Sequence, residues 1–223
     1  MRGVYSKFFT PSLWQRGVWG GAAFVAQADF FEVAGIKGKE VLGVSMKRYE
    51  IRIAGFGGQG VVTIGKIVGL AAALYDKKNA VQTQSYGPES RGGACKAEVV
   101  LSDGEIHYPK VRSADVLVAL SQTAQDAYIK ELKPGGLLII DPLTVVKEPA
   151  RSDIRVVKVP TAEIAYQMGN KKFQNMVALG VLCQLTGVIS PEALEKAIAE
   201  TVPPKTLSQN LEALKKGMAH VRE

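Results

Sequence analysis

The chain has 223 residues, of which 47% are hydrophobic and 22% charged, and carries a formal net charge of +7. This describes an ordinary globular protein with one substantial core, whose basic residues are spread among acidic ones rather than interleaved with aromatics, so nucleic-acid binding is not expected. Two cysteines and two histidines are too few for a disulfide framework, for an iron–sulfur cluster with its about four thiolates, or for a built-in zinc or catalytic iron site. No uninterrupted apolar run approaches the ~20 residues of a membrane span, so no membrane partner and a cytoplasmic location are expected.

Residues 1–45 stand apart. They hold both tryptophans, Trp14 and Trp19, and show no sustained period of 2 or 3.6. Trp14-Gln15-Arg16-Gly17 interrupts any secretory apolar run. The segment reads as an atypical extension from an upstream start codon, with Met46 as the natural first residue and 46–223 as the single domain.

From Ile51 the pattern becomes regular. Ile51 to Ala54 predicts a short strand, the turn Gly55-Phe56-Gly57-Gly58-Gln59-Gly60 ends it, and apolar residues from Val61 to Tyr75 fall at helical spacing. Gly65 and Gly69 within that helix predict close approach to a sheet. Ala80 to Ser85 predicts a second strand, followed by Tyr86-Gly87-Pro88-Glu89-Ser90-Arg91-Gly92-Gly93. Ala94 to Leu101 and Glu105 to Tyr108 flank Asp103-Gly104, a strong hairpin signal. Asp115 to Leu120 predicts a buried strand, Ser121 a cap for a helix to about Leu132, and Pro134-Gly135-Gly136 its stop. Strands follow at Leu137 to Ile140 and Ile154 to Val159. Thr161 is expected to cap a helix to about Met168. Phe173 to Leu185 forms another, stopped at Gly187, and Ser190-Pro191-Glu192 opens a third with a cap, an N1 proline and a first-turn acid. Leu207 to Lys216 closes the chain, with Gly217 after it. The economical architecture is a three-layer α/β/α single domain with a mixed, mostly parallel sheet that includes a hairpin.

Two glycine-rich loops therefore follow two successive strands, and in an open α/β sheet such loops are where ligands and partners dock. The first satisfies G-x-G-x-x-G between a strand and a helix, leaving backbone N–H groups where an anion is favoured. A nicotinamide dinucleotide would want an acid near the end of the second strand, and Gln82-Thr83-Gln84-Ser85 offers none. In the second loop Glu89 and Arg91 pair locally, or Arg91 holds a phosphate or carboxylate while Tyr86 and Glu89 contact a partner. Catalytic residues are not expected in this chain: neither Ser85 nor Ser121 has a histidine base at hand in the sequence. A stand-alone Rossmann-like nucleotide-binding module remains one alternative.

Gly55-Phe56-Gly57-Gly58-Gln59-Gly60-Val61-Val62, followed by Ser85-Tyr86-Gly87-Pro88-Glu89 and Arg91-Gly92-Gly93, resembles the gamma subunit of 2-oxoacid:ferredoxin oxidoreductases. The likeness runs from about Lys47 to Met218, with Lys96-Ala97-Glu98-Val99 and Tyr108-Pro109-Lys110 in support, and the second loop is most similar to the 2-oxoglutarate branch. Pyruvate and branched-chain oxoacids stay open. The resemblance implies a heterotetramer of alpha, beta, gamma and ferredoxin-like delta subunits. Such an enzyme decarboxylates a 2-oxoacid oxidatively, passes the acyl group to coenzyme A and reduces ferredoxin. Thiamine diphosphate, Mg2+ and 4Fe–4S clusters are expected in the partner subunits, so this chain would be inactive alone. Gly55, Gly57, Gly58, Gln59, Gly60 and Arg91 are expected to border the coenzyme A cleft. Ser85, Tyr86, Gly87, Pro88, Glu89, Gly92 and Gly93 are expected to meet partner subunits.

Overall fold

The computed structural model describes residues 24–26, 48–86 and 93–221. Its strands are β1 (Phe24–Ala26), β2 (Tyr49–Phe56), β3 (Asn79–Tyr86), β4 (Ala94–Ser102), β5 (Ala114–Ala119), β6 (Leu132–Ile140) and β7 (Arg155–Lys158). They form one sheet in the order β1-β3-β4-β2-β5-β6-β7. β2, β5, β6 and β7 run parallel, whereas β4 is antiparallel to both β2 and β3, and β1 is antiparallel to β3. The mixed sheet is thus as expected, with its antiparallel half at the β4 side.

Among the described residues six helices cover it: α1 (Val61–Leu70, prolonged by a wide π-helical turn, Ala71–Tyr75), α2 (Gln122–Tyr128), α3 (Thr161–Gln167), α4 (Gln174–Thr186), α5 (Pro191–Thr201) and α6 (Leu207–His220). Strand alternation divides the core. Ile51, Ile53, Val116, Val118, Leu137 and Ile139 face the larger cluster with α1, α4, α5 and α6, while Leu117, Ala119, Leu138 and Ile140 face a smaller one with Ala124 of α2 and the loop residues Val111 and Val145. The glycines of α1 do bring it close to the sheet: a Cβ on Gly65 would sit 2.6 Å from that of Ala97. Ser190 caps α5 as expected, accepting from the Ala193 amide.

Four local expectations give way to tertiary constraints. No strand forms at Glu105 to Tyr108, because β4 is an interior strand with both edges already taken by β2 and β3. Asp103-Gly104 is therefore a turn out of the sheet, held by the Gly104 amide on Ser102 Oγ and by Asn79 Nδ2 on the Gly104 carbonyl. Pro134-Gly135-Gly136 lies inside β6 as a bulge, where the pairing with β5 jumps from Ala114↔Leu132 to Val116↔Leu137. Thr161 is the first residue of α3 rather than its cap, and its hydroxyl donates to Asp141 Oδ2 at 2.7 Å. Gly217 does not end α6. It lies three residues inside the helix, where a Cβ would come 2.1 Å from the carbonyl oxygen of Val177 in α4.

Candidate functional site

β2 and β3 both end, and β4 begins, at the carboxyl edge of the parallel strands. The topology therefore delivers the two glycine-rich loops to one place. They are in direct contact, since the Gly57 amide donates to the Gly93 carbonyl at 2.9 Å, continuing the β2–β4 ladder one residue beyond Phe56↔Ala94. Ser85 and Gly93 flank the second loop, Ser85 exposed and Gly93 buried. Gly87, Pro88, Glu89, Ser90, Arg91 and Gly92, as well as the Tyr86 side chain, lie outside the described residues.

The first loop is built around Gln59. Its side-chain oxygen accepts from the Phe56 amide at 2.6 Å, and its Nε2 donates to the Leu120 carbonyl at 2.9 Å, tying the end of β2 to the end of β5. A Cβ on Gly55 would collide with that oxygen at 2.5 Å, so Gly55 makes room for the tie. Gly60 is the N-cap of α1 at φ +74°, a left-handed conformation that L side chains adopt at a cost. A Cβ there would also meet Asn175 Nδ2 at 2.3 Å. With the Phe56, Gly57 and Gln59 amides engaged inside the loop region, those of Gly58, Gly60 and Val61 have no acceptor among the described residues. They stand at the positive end of α1.

Asn175 and Gln174 at the start of α4 are parts of the site that the sequence did not point out. The available signal was two amides opening an otherwise apolar helix. Gln174 reaches Thr161 Oγ1 at 3.1 Å and the Asp141 carboxylate at 3.3 Å. Asp141, at the end of β6, is 1% exposed. It also accepts from the amides of Leu143 and Ala162, at 2.9 and 2.7 Å, and from the Thr161 hydroxyl. Four donors satisfy this buried carboxylate, making it the bracket that fixes the β6 and β7 connections.

Among the described residues no group of three or more His, Cys, Asp or Glu side chains could share an ion. Cys95 in β4 and Cys183 in α4 are both buried, and burial pushes the Cys95 thiol up, away from the thiolate form. No helix among the described residues is long and apolar enough to cross a membrane.

Residues 50–220 match the family described as pyruvate ferredoxin/flavodoxin oxidoreductase. A 2-oxoglutarate synthase subunit, KorC, of Methanothermobacter thermautotrophicus is 50% identical over 182 residues, covering 79% of this chain and 96% of the relative. The crystal structure of a keto/oxoacid ferredoxin oxidoreductase gamma subunit from Geobacter sulfurreducens is similar at a TM-score of 0.71 and 43% identity, covering 77% of this chain and 95% of that one. A 2-oxoglutarate:ferredoxin oxidoreductase from Magnetococcus marinus, whose structure holds 2-oxoglutarate, coenzyme A and succinyl-CoA, is similar at a TM-score of 0.72 and 26% identity; the match covers 79% of this chain and 31% of that longer one. The chain belongs to the pyruvate ferredoxin/flavodoxin oxidoreductase family, with the span and fold of its gamma subunit.

Proposed function

We propose that this chain is the gamma subunit of a 2-oxoglutarate:ferredoxin oxidoreductase. Assembled, the enzyme removes CO2 from the oxoacid, transfers two electrons to ferredoxin and joins the remaining acyl group to the thiol of coenzyme A. The observation that carries the reading is the 50% identity to a 2-oxoglutarate synthase subunit over nearly its whole length. Thiamine diphosphate, Mg2+ and 4Fe–4S clusters belong to the alpha, beta and ferredoxin-like delta partners. The site is cytoplasmic, where coenzyme A and reduced ferredoxin are exchanged.

This chain's own contribution is to position and bind. The amides of Gly58, Gly60 and Val61 at the α1 N-terminus, unengaged among the described residues, suit the phosphates of coenzyme A, and Arg91 of the second loop carries a charge suited to the same ligand. The residues of the second loop from Ser85 to Gly93 meet the catalytic partners. Coexpression with the alpha, beta and delta subunits, one of them tagged, tests the proposal. The four chains should co-purify, reduce ferredoxin only with 2-oxoglutarate and coenzyme A together, and lose activity when this chain is omitted. Faster turnover of pyruvate or 2-oxoisovalerate would move the enzyme to another oxoacid, and a monomer that never co-purifies would remove it from the complex.

A further inference from the structure

We propose that the buried Arg52–Glu98 pair and the partly exposed Lys96 form a charge bracket that sets the register of the β3–β4 hairpin against β2 and so holds Gly57 of the first glycine loop against Gly93 of the second. This rests on the reading of those loops as the working edge of the subunit. Arg52 on β2 is directly opposite Glu98 on β4. Both are buried, at 1% and 5% exposure. A single carboxylate oxygen, Glu98 Oε1, receives Arg52 Nε at 2.9 Å, Arg52 Nη2 at 2.8 Å and Lys96 Nζ at 3.0 Å. Arg52 Nη1 is 2.6 Å from Glu131 Oε2, a charge contact without an aligned hydrogen bond, and Nη2 also faces the Val111 carbonyl at 3.4 Å. The Tyr128 ring lies 4.8 Å from the Arg52 guanidinium and 5.4 Å from Lys96 Nζ. Two cations and two carboxylates balance.

Buried ion pairs of this kind are poor stabilisers: apolar residues of similar volume hold strands together at least as well, because no charge has to be desolvated. What the charges add is a single allowed register. A slip of β4 by one residue would turn Lys96 and Glu98 to the opposite face, into the apolar cluster under α1, and take from the buried Arg52 the carboxylate that receives two of its nitrogens. Register matters here because Arg52 is four residues before the end of β2 and Glu98 four residues after the start of β4. The same register that pairs them brings Gly57 to Gly93. Lys96 extends the bracket to β3, where it is opposite Ser85 at the entrance of the second loop. These are positioning residues for the loops.

Hydrogen exchange in the assembled complex tests this, reading segments 55–62 and 84–95 against α4 and β6. Glu98→Gln should speed exchange in both loop segments by about tenfold, equivalent to about 1.4 kcal/mol of local opening, and leave α4 and β6 near wild type. Lys96→Met, at the partly exposed end, keeps the Arg52–Glu98 pair and should give a smaller effect in the same segments. The double variant Arg52→Met/Glu98→Leu should melt no lower than wild type yet retain fast loop exchange, which a purely stabilising role would not produce. Wild-type exchange in both segments, or a rise shared equally by α4 and β6, overturns the bracket. Fast loop exchange with an unchanged KM for coenzyme A supports the bracket and instead counts against the loops as the coenzyme A edge.

Discussion

The Gly57 amide donates to the Gly93 carbonyl at 2.9 Å, and this one bond ties the first glycine-rich loop to the last residue of the second, 36 residues on in sequence. The first loop is closed on itself by Gln59, and the amides of Gly58, Gly60 and Val61 at the start of α1 are unengaged among the described residues.

Gly60 is where local conformation and packing coincide. Gly60→Ala should destabilise the chain by about 1 to 3 kcal/mol, from the left-handed backbone and the collision with Asn175, lowering Tm by about 2 to 4 °C per kcal/mol. Asn175→Ala in the same chain should recover the collision part only. A double-mutant cycle by thermal melting checks this: simple additivity would mean the two residues do not interact.

The α4–α6 crossing is set by a second pair of glycines. A Cβ on Gly180 would come 2.1 Å from the Leu214 carbonyl oxygen, and one on Gly217 would come 2.1 Å from that of Val177. Either backbone must shift, so Gly180→Ala and Gly217→Ala should each cost about 1 to 3 kcal/mol or more in urea unfolding. The double variant should cost less than the sum, because one displacement of the helices serves both.

Arg91→Ala should raise the KM for coenzyme A by about ten- to a hundredfold with kcat little changed, the loss expected of one charge-assisted contact to phosphate. Steady-state kinetics of the assembled enzyme measure it. A wild-type KM with intact assembly would leave Arg91 a turn residue.

Alkaline stability should report on Tyr49. Burial, with Asp115 nearby, pushes its phenol up to about 12, so the folded chain keeps a proton that the unfolded chain loses near pH 10. The folded state thus binds more protons between those values, and its stability, complete below about pH 10, falls as pH rises toward about 12, by at most about 2 to 3 kcal/mol. Tyr49→Phe should remove that part of the decline in melts from pH 9 to 11.5. Tyr75, raised to about 12 by burial and by its hydrogen bond to Glu200, supplies a second, separable part that Tyr75→Phe removes.

What the sequence determined by itself is whatever neighbours along the chain decide. Alternating and helical periods placed β2, β3, β4, β5 and most helices, Ser190-Pro191-Glu192 opened α5, and the two glycine motifs marked the family, because strand pleat, capping and tight turns are local physics. Only the tertiary structure decided what each residue meets. Asp103-Gly104 has the chemistry of a hairpin and makes none, since β4 has no free edge left. Gly217 has the chemistry of a helix stop and lies inside α6, since α4 needs the space. Asn175 and Asp141 carry no local signature of a site, yet one packs on the cap of α1 and the other ties the ends of β6 and β7. Contacts between distant segments depend on which surfaces the fold brings together, and no window of sequence contains them.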